Sequence, residues 1–214
     1  MKETIAVIAA NGRSGRACVE ALLHAGYHVR AGVRQGNGKA LHHPRLTTWR
    51  CDATKAEDIA RLLEGADAVV SMIGHTRRST ADAQYQATAH CIAYIEANRP
   101  SMRVISLTGT GVRRPGDRIT ALDWLGNFVI GLSDPARIQD GIRHAELLAR
   151  SQVNYTIIRV LKLTNGRHKG ALTLTSHGPV ETFTPRARVA AAVVTLLNTG
   201  GYERAMPVVS HTRR

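Results

Sequence analysis

Val7-Ile8-Ala9-Ala10-Asn11-Gly12-Arg13-Ser14-Gly15 is the end of an apolar strand running into a glycine-punctuated turn and the start of a helix. The strand is Ile5 to Ala9, and the helix extends from about Ser14 to Ala25. Ala17, Val19, Ala21, Leu22 and Leu23 give that helix its packing faces, and Gly26 follows where a left-handed cap is favoured. A strand-turn-helix of this kind is the context that a dinucleotide fingerprint requires. Gly12 lets backbone approach a pyrophosphate, and Gly15 permits close packing of helix on strand. Free amides at the helix start then face the phosphates, so Ala10, Asn11, Gly12, Arg13, Ser14 and Gly15 are the expected phosphate-binding residues. A plain structural turn is the alternative reading.

Outward from this turn, short β-branched runs alternate with helical patterns, as in βαβ units of a parallel sheet. Strands are expected at 28–33, 46–50, 68–73, 103–107 and 154–159, with helices at about 56–63, 83–97 and 136–151. Ala68-Val69-Val70-Ser71-Met72-Ile73 is apolar almost throughout, as a strand buried on both faces should be. The stretch from Val112 to Pro135 is the least regular, with one helix expected around Ala121 to Ile130 over the ligand-binding end of the sheet. A strand at 171–175, a helix at 186–197 and a strand at 206–209 complete the chain. The expectation is an α/β fold, a Rossmann-type doubly wound parallel sheet. It forms a single domain over residues 1–214, with small substrate-side cap elements at about 164–214 on the same sheet.

Cofactor choice is read about twenty residues beyond the turn. Enzymes using NAD place an acid at the end of the second strand, on the ribose 2′-hydroxyl. This chain has Val33-Arg34-Gln35 there and no carboxylate nearby, so Arg34 is expected to pair with a 2′-phosphate and the cofactor to be NADP(H). Arg13 can assist, and an exposed loop charge is the plainer reading of Arg34.

Composition narrows the rest. Of 214 residues, 43% are hydrophobic and 21% charged, ordinary for a soluble globular chain. No apolar stretch is long enough for a membrane span or a signal peptide, so a cytoplasmic protein without membrane association is expected. Cys18, Cys51 and Cys91 have no paired spacing and are expected as buried free thiols; no metal site is expected. The net charge of +13 points to anionic partners. Basic residues are spread along the chain and aromatics are only 4%, which argues against a nucleic-acid surface.

Further stretches carry a family resemblance: Cys51-Asp52, Leu63-Glu64-Gly65-Ala66-Asp67-Ala68-Val69-Val70, Val104-Ile105-Ser106-Leu107-Thr108-Gly109 and Ala145-Glu146-Leu147-Leu148. With the first turn and Val33-Arg34, the chain resembles the atypical short-chain dehydrogenase/reductase group. The likeness is nearest to NmrA-like and flavin reductase/biliverdin-IXβ reductase-like members. The resemblance implies that Asp52 lies beside the adenine and that Ile73-Gly74-His75 passes near the cofactor ribose. Two departures stand out. The family's first glycine is Ala9, a small change that strand geometry should tolerate. Ile138 and Ile142 stand where the Tyr-x-x-x-Lys pair is expected.

That loss bears on the chemistry. Reducing an isolated ketone creates a basic alkoxide that needs a positioned acid. Reducing a flavin, quinone or linear tetrapyrrole leaves a delocalised anion that can take its proton from solvent. The expected activity is therefore an NADPH-dependent oxidoreductase acting on a conjugated, anionic small-molecule acceptor. A non-catalytic NADP(H)-sensing regulator and a nucleotide-sugar epimerase or dehydratase are the alternatives. Arg13, Arg34, Arg77-Arg78, Arg113-Arg114, Arg159 and Lys162 each follow a different strand and are expected to converge at the ligand end, though Arg113-Arg114 also read as solvated loop residues. Thr108 and His75 are the candidate catalytic residues, Thr110 a further polar contact, and Thr108 and Lys162 are additional cofactor candidates. The assembly is expected to be a monomer or homodimer.

Overall fold

The structure is a computed structural model that describes residues 3–34, 42–74, 80–166 and 171–210. Its elements are β1 (Thr4–Ile8), α1 (Arg13–His24), β2 (His28–Val33), β3 (Leu46–Arg50), α2 (Ala56–Leu63), β4 (Ala68–Ser71), α3 (Ala83–Asn98) and β5 (Arg103–Gly109). They continue with α4 (Ala121–Ser133), α5 (Pro135–Arg150), β6 (Tyr155–Val160), β7 (Lys162–Thr164), β8 (Thr173–Thr175), β9 (Phe183–Pro185), α6 (Arg186–Thr199) and β10 (Val208–Ser210).

Eight strands form one sheet in the order β3-β2-β1-β4-β5-β6-β10-β8, parallel except for β8 at the edge. β1 pairs with β2 on one side and β4 on the other, so the strand order reverses there and opens a crevice beyond the carboxyl ends. This is the Rossmann-type α/β sheet expected from the sequence. The late strands divide. β10 and β8 extend the main sheet, whereas β7 and β9 pair separately as a two-stranded ribbon that periodicity did not reveal.

The two faces follow from the period-2 alternation of side chains along a strand. Ile5 and Val7 of β1 point into a core shared with Cys18, Val19 and Leu22 of α1 and Val189 and Val193 of α6. Ala6 and Ile8 point to the other side, among Ile59 and Leu62 of α2, Ile95 of α3 and Leu148 of α5. Each fully buried Ile or Leu contributes roughly 1.5–3 kcal/mol. Covering both faces requires the continuous apolar strands seen in β4 and most of β6.

The irregular segment resolves into α4 and α5 meeting at a sharp corner. Thr120 caps α4 by accepting from the Asp123 amide at 3.1 Å. Asp134 ends α4 and begins α5, where its side chain accepts from the Arg137 amide at 3.3 Å and Pro135 takes the first helical position.

Candidate functional site

The glycine turn closes at the crevice between β1 and β4. β1 ends at Ile8, and Ala9 lies in the left-handed region with φ of 58°. The sequence reading placed Ala9 in tolerant strand geometry; the structure gives it a conformation that favours glycine. The Ala9 carbonyl accepts from the Gly12 amide at 3.0 Å, and the Ala10 amide donates to the Gly32 carbonyl at 3.0 Å, pinning the turn to the end of β2. A Cβ at Gly15 would stand 2.2 Å from the Ala9 carbonyl oxygen and 2.8 Å from the Ala10 Cα, so only glycine lets α1 approach this closely. Asn11 Oδ1 accepts from both Nε and Nη2 of Arg16, at 3.2 and 2.8 Å, holding the tip of the turn to the helix. No side chain caps α1, and its first turn contains no acid. Its positive end therefore faces the crevice uncompensated.

Two guanidiniums lie within reach of each other's charge here. Arg13 is exposed at the start of α1, and Arg186 opens α6, which packs along α1. Burial lowers the pKa of Arg186, and the positive charge of Arg13 lowers it further. Nη1 of Arg186 donates to Asn165 Oδ1 at 2.6 Å, but its buried Nε has no hydrogen-bond partner among the described residues. A buried orphan donor beside a second cation fits an anion such as a cofactor phosphate. Sequence reasoning missed Arg186, because it meets Arg13 only through the packing of α6 on α1.

The other cofactor candidates lie at neighbouring strand ends. Arg34 is exposed directly after β2. Asp52 follows β3; its Oδ1 accepts from the Thr54 amide at 3.2 Å and hydroxyl at 2.8 Å, and its amide donates to Asp58. Ile73 is half-buried and Gly74 exposed beyond β4, where the Met72 amide donates to the Ile8 carbonyl at 3.2 Å and brings this segment beside the turn. His75, Arg77 and Arg78 lie outside the described residues.

Beyond β5 and β6 the picture departs from a simple ring of ligand-facing cations. Arg159 is 1% exposed and forks onto both carboxylate oxygens of Asp117, with Nη2 to Oδ1 at 2.8 Å. It also donates to the carbonyls of Met206, Val112 and Ser176. Arg159 is thus consumed inside the protein, and its predicted place among ligand-facing charges is corrected. Burial opposes ionisation of Asp117, but the hydrogen bonds and charge of Arg159 prevail and hold its carboxyl below the ordinary range.

Beside this pair lies a shallow surface cleft bordered by Arg113, Arg118, His177 and Thr110. The Thr110 hydroxyl donates to Asp123 Oδ1 at 2.5 Å and accepts from Asn127 Nδ2 at 2.9 Å. Thr108 is buried, and a Cβ on Gly141 would come within 2.7 Å of its Oγ1, so its hydroxyl is turned toward α5. Lys162 is exposed on β7, with Nζ 5.5 Å from the centre of the Phe183 ring. Ile138 and Ile142 sit half-buried on α5, with Ile142 against the core, and offer no proton. The three cysteines are free and buried, and burial pushes each thiol up to about 12, which excludes a thiolate nucleophile at neutral pH.

The model of the NAD(P)H-binding family matches residues 9–200. No curated protein matches the chain by sequence. Among solved structures, a short-chain dehydrogenase/reductase from Veillonella parvula in complex with NADP superposes with a TM-score of 0.80 at 18% identity, covering 99% of this chain and 95% of that one. A protein from Streptococcus pneumoniae carrying the provisional name NADH-flavin reductase gives 0.79 at 20% identity, covering 98% and 100%. An anaerobilin reductase from Escherichia coli O157:H7 gives 0.78 at 19% identity, covering 99% and 98%. At these identities the likeness is one of fold.

Proposed function

The chain belongs to the NAD(P)H-binding family, and on that premise we propose that it is an NADPH-dependent reductase of a conjugated, anionic acceptor of the flavin, quinone or linear tetrapyrrole kind. The observation that carries the proposal is the meeting of Arg13 and Arg186 beside the uncapped start of α1, with a buried guanidinium donor left unpaired. Such a site asks for more negative charge than a helix terminus alone would hold. Ala10 to Gly15 hold the diphosphate, Arg34 takes the 2′-phosphate, and Ile73 and Gly74 flank the ribose. Asp52 stands on the adenine side, at the end of β3.

The reduced nicotinamide supplies the hydride when bound. The residues around it position the acceptor and exclude a competing acid. Ile138 and Ile142 stand where a Tyr and a Lys would supply the proton, so an isolated ketone is a poor substrate. A delocalised product anion draws its proton from water. Arg113 and Arg118, exposed at the cleft, attract phosphate or carboxylate groups on the acceptor. The names of the streptococcal and Escherichia coli neighbours, a flavin reductase and an anaerobilin reductase, favour the same acceptor class.

Calorimetry with NADPH and NADH, followed by NADPH oxidation assays with FMN, FAD, menadione and biliverdin, tests this reading. The expected result is at least tenfold preference for NADPH, lost in Arg34→Ala and weakened in Arg186→Ala, with turnover on at least one acceptor. Preference for NADH would overturn the cofactor assignment. Tight NADPH binding with no turnover on any acceptor would overturn the reductase and favour a redox sensor, a role the missing Tyr and Lys permit. Thr108→Ala and His75→Ala test those residues directly.

A further inference from the structure

α4 is built inside out. An ordinary surface helix buries its apolar stripe and exposes its polar one. Here Asp123 and Asn127, one turn apart, are the buried residues and bond to each other and to Thr110. Leu122, Trp124, Leu125, Phe128, Val129 and Leu132 are all on the outside, each between 50% and 73% exposed. Trp124 and Phe128 stack on each other, with centroids 5.4 Å apart and planes within 9°. The inward polar face is fully used, so turning the helix over would strand Asp123 and Asn127. The outward apolar face is a stable feature of the fold, and so large an apolar patch marks an interaction surface.

The charges around the patch indicate what covers it. Arg113, Arg114 and Arg118 are exposed just before α4, and Arg137 is exposed in the first turn of α5 just after it. Of the nearby acids, Asp117 is paired with Arg159, Asp123 is buried against Thr110 and Asn127, and Asp134 accepts from the Arg137 amide, so no ion pair joins a described acid to these four arginines. An apolar helix face flanked at both ends by exposed arginines, four of them against one half-buried acid at the corner, matches the interface of an anionic bilayer, where acyl chains lie beneath phosphate headgroups. A second copy is disfavoured, because pairing through this face would set these cations against their own duplicates in a chain of net charge +13. At 13 residues, α4 is about 20 Å long and lies in the interface, and no described helix is long and apolar enough to cross a membrane. Trp124 has the amphipathic ring that favours the headgroup level.

We infer that α4 docks this protein on the surface of an anionic lipid bilayer, with Leu122, Trp124, Phe128 and Leu132 inserted among the acyl chains and Arg113, Arg114, Arg118 and Arg137 on headgroup phosphates. The sequence reading set membranes aside for want of a span, and an interfacial helix needs none. Because Asp123 and Asn127 tie α4 to Thr110, docking holds the ligand end of the sheet close to the bilayer. Docking rests on α4 and needs no turnover, so vesicle binding tests it whether or not the proposed reaction holds.

The test uses the full chain carrying Trp49→Phe, which leaves Trp124 as its one tryptophan. It is sedimented with vesicles of phosphatidylcholine alone and of phosphatidylcholine with an equal share of phosphatidylglycerol. The protein should pellet with the anionic vesicles at least tenfold more strongly, with Trp124 emission shifted to the blue. Binding should fall at least tenfold when the salt is raised well above physiological strength. Leu122→Ser/Phe128→Ser/Leu132→Ser should abolish binding while retaining NADPH affinity and the circular-dichroism spectrum of the parent. Arg114→Gln/Arg137→Gln, at two exposed positions, should weaken it at least tenfold. A folded protein that ignores anionic vesicles would overturn the inference, as would equal binding to both vesicle types. A dimer by light scattering that Leu132→Ser dissociates, without vesicle binding, would give the face to a second copy and overturn it as well.

Discussion

Replacing Ala9 by glycine should make this protein more stable, although it removes a side chain. Ala9 has φ of 58° because the turn leaves it no other choice. Its carbonyl must accept from the Gly12 amide at 3.0 Å, and the next residue must donate to Gly32. An L-residue in this region sets Cβ against its own carbonyl, at about 1–2 kcal/mol. Glycine escapes that strain but loses about 0.5–1 kcal/mol more backbone entropy on folding. The difference favours Ala9→Gly by roughly 0.5–1 kcal/mol, which in a chain of this size raises Tm by about 1–4 °C. Calorimetric melting and a urea titration with unchanged m-value measure it. Ala10→Gly is the control. Ala10 is 4% exposed in the core and is not among the residues with positive φ, so its replacement should cost about 1 kcal/mol. A lower Tm for Ala9→Gly than for the parent would refute a left-handed residue 9, and with it the turn on which the proposed phosphate site is built.

Gly15→Ala should do the opposite. Its Cβ would meet the Ala9 oxygen at 2.2 Å, so the start of α1 must retreat by about 1 Å, at roughly 1–3 kcal/mol, and dinucleotide affinity measured by calorimetry should fall at least tenfold. His144 is fully buried on the inner face of α5 against Ser106 Oγ at 2.9 Å, and burial lowers its pKa from 6.5 to about 4. The unfolded chain therefore takes up this proton first. The contribution of His144 is whole above about pH 6.5 and declines by up to about 3 kcal/mol as pH falls to 4. Urea midpoints across that range should show the slope, and His144→Gln should flatten it. Arg159→Met leaves Asp117 without its buried partner and should cost about 3–5 kcal/mol. Arg113→Ser, at an exposed position, should lie within about 0.5 kcal/mol of the parent by the same titration.

Much of the architecture was legible because its causes are local. β2, β3 and α2 have the bounds that periodicity predicts, and α1 differs from prediction by one residue at each end. What escaped was partnership over long distances. Arg159 ends an apolar strand and so read as a ligand-facing charge, but its partner Asp117 lies in a loop 42 residues earlier. The polar spacing of Asp123 and Asn127 was visible, yet which face of α4 turns inward depends on Thr110 waiting beneath it. The β7–β9 ribbon pairs strands of three residues each, too short for any alternation to show.

The residues alone determined the order of the longer strands and helices and the place of the glycine turn. Periods of 2 and 3.6, and the glycines at 12 and 15, express constraints felt within a few residues along the chain. Only the tertiary structure decided which of the many arginines remain available to a ligand. Charges interact through space: α6 packing on α1 sets Arg186 beside Arg13, and the return of the loop holding Asp117 takes Arg159 out of play.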